Sequence, residues 1–124
     1  MKTIVVVEDE PILLKALSIE LLGAGFNVLS ASNGEAGLDL IKKEKPDFVL
    51  LDLVLPKMSG FDVLEAVKKI PELKKIPVII LSNLGQDEDR QKGLKLGAAD
   101  YYVKSSTDLE QLTQKITRLL NPKS

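Results

Sequence analysis

Five short apolar runs recur along the chain, at Thr3–Val7, Phe26–Ser30, Phe48–Leu51, Val78–Leu81 and Tyr101–Val103. This rhythm constrains the fold more than any other feature. The first, third and fourth runs are rich in Val, Ile and Leu and show no polar alternation, as strands of a parallel sheet do when both faces are covered. The second and fifth are shorter or more polar, as strands near a sheet edge can be.

Segments of helical spacing separate the runs. Leu13, Ala16, Leu17 and Leu21 form one apolar stripe, and Ala36, Leu40 and Ile41 a second. Phe61, Leu64, Val67 and Ile70 form a third, and Leu109, Leu112, Ile116 and Leu119 a fourth. Ser32-Asn33-Gly34-Glu35 and Thr107-Asp108-Leu109-Glu110 fit capping boxes that open helices, with Ser32 and Thr107 as the caps. Gly23, Gly25 and Gly97 stand where helices stop, and Pro46, Pro71 and Pro77 fall in connections. The remaining segment, Gln86 to Leu96, is so polar that it reads first as a solvated helix, the least firmly anchored of five.

Strand–helix alternation of this kind predicts an α/β domain with right-handed crossovers. At 124 residues the chain holds one core and one domain, residues 1–124. The expected architecture is flavodoxin-like: a doubly wound, five-stranded parallel sheet in the order 2-1-3-4-5 with five helices. That order buries the three most apolar runs.

Composition removes several chemistries. Histidine and cysteine are both absent, so a Ser-His-Asp triad, a thiolate nucleophile, a disulfide and a zinc–thiolate site are all excluded. Any metal must be held by oxygen, which favours Mg²⁺, Mn²⁺ or Ca²⁺. Lys and Arg number 17 against 18 Asp and Glu, a balance unlike that of a nucleic-acid module. Five aromatics without tryptophan are too few for a base-stacking platform. Ile4-Val5-Val6-Val7 stops at Glu8-Asp9, far short of a signal-peptide core or of the ~20 apolar residues of a membrane span. The expected location is the cytoplasm, with no contact to membrane or nucleic acid.

In an open α/β sheet, ligands bind beyond the carboxyl ends of the strands, near the point where strand order reverses. There strand one delivers Glu8-Asp9, strand three Asp52, strand four Ser82 and strand five Lys104. Singly, each reads as a helix start, a cap or a solvated charge. Together, three carboxylates in one crevice repel one another unless a cation neutralises them, and one lysine is not enough. Mg²⁺ is the expected ion, since it accepts one or two carboxylates and keeps several waters. Mg²⁺, a lysine and a hydroxyl are the equipment for holding phosphoryl oxygens, and a carboxylate beside them can attack phosphorus. Asp52, on the central strand, is the best placed.

These residues resemble the receiver domain of two-component response regulators along the whole chain. The resemblance rests on Val-Val-Glu8-Asp9, Leu-Leu-Asp52-Leu-Val-Leu-Pro56-Lys-Met58-Ser-Gly60, Ile-Pro77-Val-Ile-Ile-Leu-Ser82 and Gly97-Ala-Ala-Asp-Tyr101-Tyr-Val-Lys104. It implies that Asp52 is the phosphoacceptor, charged from the phosphohistidine of a sensor histidine kinase or histidine phosphotransfer protein. It further implies that Asp9, Asp52 and the main-chain carbonyl of Val54 hold Mg²⁺ directly, with Glu8 acting through water. Lys104 and Ser82 would contact the phosphoryl oxygens, and Tyr101 would be a switch aromatic that turns inward as the Ser82 hydroxyl moves. The face made by the fourth helix, fifth strand and fifth helix would then change its affinity for a downstream target or output domain.

Three departures from the family pattern stand out. Ser105 follows the lysine where a proline with a cis peptide bond is usual. Asn83 is larger than the usual residue after the serine and narrows access. Val54 and Leu84 put apolar groups where polar ones often steer hydrolytic water, so slow loss of the phosphoryl group is expected. An aspartyl phosphatase would want a second acid at Val54, and a flavin carrier would want a Ser/Thr/Gly-rich first loop. The chain is therefore not expected to be an enzyme acting on external substrates. The remaining alternative is a pseudo-receiver, an interaction module without phosphorylation. Only Asn121-Pro122-Lys123-Ser124 follow the last stripe, which leaves open a stand-alone regulator or a receiver within a longer protein.

Overall fold

A computed structural model describes residues 1–121. The strands are β1 (Thr3–Val7), β2 (Asn27–Ala31), β3 (Phe48–Leu51), β4 (Val78–Ser82) and β5 (Asp100–Val103). The helices are α1 (Pro11–Gly23), α2 (Gly34–Glu44), α3 (Gly60–Lys69), α4 (Asp87–Lys95) and α5 (Leu109–Leu120). All strand pairs are parallel, in the order β2-β1-β3-β4-β5. Among the described residues no helix is long and apolar enough to cross a membrane.

The continuous apolar runs are explained by the two cores. Successive strand residues point to opposite faces, so a strand covered on both sides needs apolar residues at every position. Val5, Val7, Val49, Leu51, Val78 and Ile80 pack on one side with Leu38 and Ile41 of α2 and with Val63, Leu64 and Val67 of α3. Ile4, Val6, Phe48, Leu50, Ile79 and Leu81 pack on the other with Leu17 and Leu21 of α1 and with Leu112 and Ile116 of α5. α4 lies over the first side, where only its Gly93 is buried.

Several local expectations shift. The second stripe turns about its helix: Gly34, Gly37, Leu38 and Ile41 are buried, whereas Ala36 is exposed. At the end of α5, Leu119 is 39% exposed. The caps sit one residue later than expected. Asn33 Oδ1 accepts the Ala36 N–H at 2.8 Å, and Asp108 Oδ1 accepts those of Glu110 and Gln111 at 2.8 and 3.2 Å. A short carboxylate or amide oxygen reaches the first-turn amides as well as a hydroxyl does. Gly25 and Gly97 take positive φ of 95° and 111°, but Gly23 remains helical.

Two glycines hold the loop after β3. The Gly60 N–H donates to the Leu53 carbonyl at 2.9 Å, and a Cβ at Gly60 would stand 2.0 Å from the Asp52 carbonyl oxygen. A Cβ at Gly34 would stand 1.9 Å from the Met58 carbonyl oxygen. Backbone thus packs on backbone at the starts of α2 and α3, and the chain leaving Asp52 is pinned from both sides.

Gly60→Ala is expected to lower stability by about 3 kcal/mol or more, because backbone cannot yield as a side chain can. Gly23→Ala, where a Cβ meets nothing within 4 Å, is expected to raise it by roughly 0.5–1 kcal/mol through helix propensity. Urea denaturation of both variants measures the contrast.

Candidate functional site

The topology brings the carboxyl ends of β1, β3 and β5 to one rim and closes a cleft of about 200 Å³ there. Asp9, Glu10, Asp52, Val54, Asn83 and Lys104 line it. Asp52 is 4% exposed and each of its oxygens has a separate duty. Oδ1 accepts the Leu53 N–H at 2.7 Å and the Val54 N–H at 3.4 Å, while Oδ2 accepts from Lys104 Nζ at 2.9 Å. The pinned loop after β3 therefore sets the carboxylate's orientation through two amides.

Lys104 crosses from β5 to the centre of the site. Its Nζ lies 3.0 and 3.1 Å from the two Glu8 oxygens and 3.3 Å from Glu10 Oε1. Burial alone would lower the Lys104 pKa, but hydrogen bonds to Asp52 and Glu8 outweigh it and hold the ammonium above the usual lysine value. Glu8, 2% exposed, is pushed up by burial and by Asp52, against the hydrogen bonds it accepts from the Glu10 N–H and Lys104. The Lys104–Ser105 peptide is trans, as are all those described, and the chain turns through a short 3₁₀ helix at Lys104–Ser106. The Thr107 hydroxyl closes that turn on the Val103 carbonyl at 2.6 Å.

Glu8, Asp9 and Asp52 each offer a carboxylate oxygen within 4.8 Å of the others. Two of the three are buried and Asp9 is exposed at the mouth. An all-oxygen set of this charge, with one side open to water, fits a hard divalent cation. Lys104 alone leaves the cluster with a net negative charge.

Ser82 and Tyr101 belong to a second layer beside the cleft. Ser82 is fully buried, so the wall carries Asn83 instead, and the Ser82 Oγ accepts the Leu84 N–H at 3.3 Å. Tyr101 is already buried, 3% exposed, with its hydroxyl donating to the Leu84 carbonyl. Leu84 thus joins the two hydroxyls through its own peptide groups, while its side chain packs on the core. The Tyr101 ring fits because α4 carries Gly93 there: a Cβ would stand 3.3 Å from the ring and 2.5 Å from Ile80 Cδ1. Arg90 of α4 donates to the Tyr101 carbonyl at 3.2 Å, tying that polar helix to β5. Burial, with the charges of Asp89 and Asp52, raises the Tyr101 pKa, so the hydroxyl keeps its proton for this bond.

Glu10 is the member of the cleft that the strand-end pattern did not indicate. It stands one residue past the acidic pair, and its proximity to Lys104 is a contact between residues 94 apart. The run Glu8-Asp9-Glu10 was the available signal.

A family model described as the response regulator receiver domain matches residues 4–117. The chain is 36% identical over 120 residues to the DNA-binding dual master transcriptional regulator RpaA of Synechocystis, covering 97% of this chain and 49% of that protein. It spans about half the length of the curated relatives it matches. Among solved structures, the BeF3-activated N-terminal receiver domain of Klebsiella pneumoniae RstA superposes with a TM-score of 0.87 at 29% identity, covering 95% and 97% of the two chains. The Mn²⁺-bound form of response regulator Rcp1 gives 0.84 at 29%, covering 100% and 97%.

The fold and the acidic rim are those of a two-component signalling receiver. The chain belongs to the response regulator receiver domain family, and the pseudo-receiver alternative gives way to that function.

Tyr101→Phe is expected to cost about 1 kcal/mol of stability, one buried hydrogen bond, and to shift the backbone resonances of Leu84. Denaturant titration and amide NMR spectra measure both effects.

Proposed function

We propose that the chain is a single receiver domain that accepts a phosphoryl group on Asp52 from the phosphohistidine of a sensor histidine kinase or histidine phosphotransfer protein. The observation that carries this reading is the buried Asp52 carboxylate, held by two amides on one oxygen and by Lys104 on the other. In the transfer, an Asp52 oxygen bonds to phosphorus as the phosphorus–nitrogen bond breaks. The electron pair leaves on the imidazole nitrogen of the donor, which remains as histidine.

Asp9, Asp52 and the main-chain carbonyl of Val54 would hold Mg²⁺, with Glu8 behind them through water. The ion would supply positive charge opposite the spreading charge of the phosphoryl oxygens. The oxygen-only donor set supports this, and the relative Rcp1 has a Mn²⁺-bound form. Lys104 keeps its proton and neutralises the same oxygens from the other side. Ser82, whose oxygen accepts the Leu84 N–H, still has a hydroxyl proton to donate to the phosphoryl group.

When the Ser82 hydroxyl moves, it would release the N–H of Leu84, the residue whose carbonyl accepts from Tyr101. That shift would alter the α4–β5–α5 face, through which a target or output domain would be regulated in the cytoplasm. Chemistry ends with Asp52 itself: Val54 stands where a phosphatase would need its second acid, so external esters would not be turned over.

Acetyl phosphate with Mg²⁺, followed by intact-mass measurement, is expected to add one phosphoryl group to the wild type and none to Asp52→Asn. Chelation of the metal should abolish the gain. No mass increase in the wild type with saturating Mg²⁺ would remove the reading.

The phosphoryl group should be lost slowly, because the exposed Val54 side chain on the cleft wall cannot orient water. Leu84 packs into the core and contributes less to this than its spacing suggested. Val54→Asn is expected to shorten the lifetime a few-fold, about what one ~1 kcal/mol hydrogen bond to the attacking water is worth. Timed intact-mass decay after donor removal measures it.

A further inference from the structure

An ammonium group has three N–H donors. At Lys104 they meet three carboxylates: Asp52 Oδ2 at 2.9 Å, Glu8 Oε2 at 3.1 Å and Glu10 Oε1 at 3.3 Å. An incoming phosphoryl oxygen therefore finds each donor already engaged, and one of these contacts has to give way.

The three contacts are not equivalent. The Asp52 and Glu8 side chains are 4% and 2% exposed, whereas the Glu10 side chain is 52% exposed. Glu10 also makes the longest of the three. Its backbone is fixed, because its N–H donates to Glu8 Oε2 at 3.0 Å, but its carboxylate stands on the solvent side of the cleft it lines. Before the bond to phosphorus forms, releasing Glu10 leaves it hydrated, while releasing either of the others strands a buried charge.

We propose that Glu10 is a positioning residue that competes with the phosphoryl group for Lys104. It occupies the third donor of the ammonium in the resting cleft and yields it when a donor enters. Its charge also disfavours small, freely diffusing phosphoanions, so that it sets the selectivity of the site against them. The inference rests on the reading of Asp52 as phosphoacceptor.

The test compares wild type, Glu10→Gln and Glu10→Asp by timed intact-mass measurement with acetyl phosphate at saturating Mg²⁺. Each is measured at about 0.1 M and at about 1 M salt, where the screening length falls to ~3 Å. Competition predicts a roughly two- to fivefold faster phosphorylation of Glu10→Gln at the lower salt, the span covered by an exposed ion pair, and a gain that shrinks but is retained at the higher salt, because the contact is only partly screened. Glu10→Asp keeps the charge but is one methylene too short for Lys104, and it should be faster as well. A Gln variant equal to wild type overturns the proposal, as does a gain that disappears in salt while Glu10→Asp behaves as wild type.

A second readout needs no phosphoryl donor. The ¹⁵N resonance of the Lys104 ammonium is expected to shift, and its protons to exchange faster with water, in Glu10→Gln. An unmoved resonance overturns the proposal. A moved resonance with no mass gain in either protein places the failure in the phosphoacceptor reading, and overturns the competition with it.

Discussion

The ion pair between Lys104 and Asp52, with Glu8 on the same ammonium, joins the end of β5 to the ends of β3 and β1. It brings together residues 52 and 96 positions apart, and all three side chains are nearly or fully buried. Such a group is expensive unless every charge is met. Here it is met only in part, because acids outnumber the lysine. This local excess of negative charge is what makes the rim fit a divalent cation.

The rest of the fold serves to hold those groups still. The two apolar cores fix the heights of the strands, and the backbone contacts at Gly34 and Gly60 fix the loop that supplies two amides to Asp52. Next to this rigid centre the molecule has a softer side. α4 buries a single glycine, and it is tied to β5 by Arg90 and by the seat that Gly93 leaves for Tyr101. Ser82 and the Tyr101 hydroxyl both meet the Leu84 backbone, one at its N–H and the other at its carbonyl. Of the five helices, α4 has the least apolar surface to lose.

In the competition proposed for Glu10, a resting site is slowed without being blocked. A buried competitor for Lys104 would hold the ammonium permanently. An exposed one holds it in exchange for hydration and can be displaced. The position of one carboxylate relative to solvent thus separates a buried partner, Glu8, from an exposed one two residues later.

Strand number, helix number and sheet order were legible in the chain because short unbroken runs such as Ile4–Val7 and Phe48–Leu51, alternating with helical stripes, suit a doubly covered parallel sheet. That Glu8, Asp9, Asp52 and Lys104 gather at one rim was legible for the same reason, since a parallel sheet collects its carboxyl ends there. Tertiary packing decided the finer matters. It turned α2 to bury Leu38 in place of Ala36, chose Asn33 and Asp108 as caps, and gave the cleft wall to Asn83 while burying Ser82. It also brought Glu10 to Lys104 and seated Tyr101 against Gly93. Periodicity along a chain reports which face of an element is apolar. How far each side chain reaches, and which of several donors it meets, depends on distances between elements that no spacing in the sequence records.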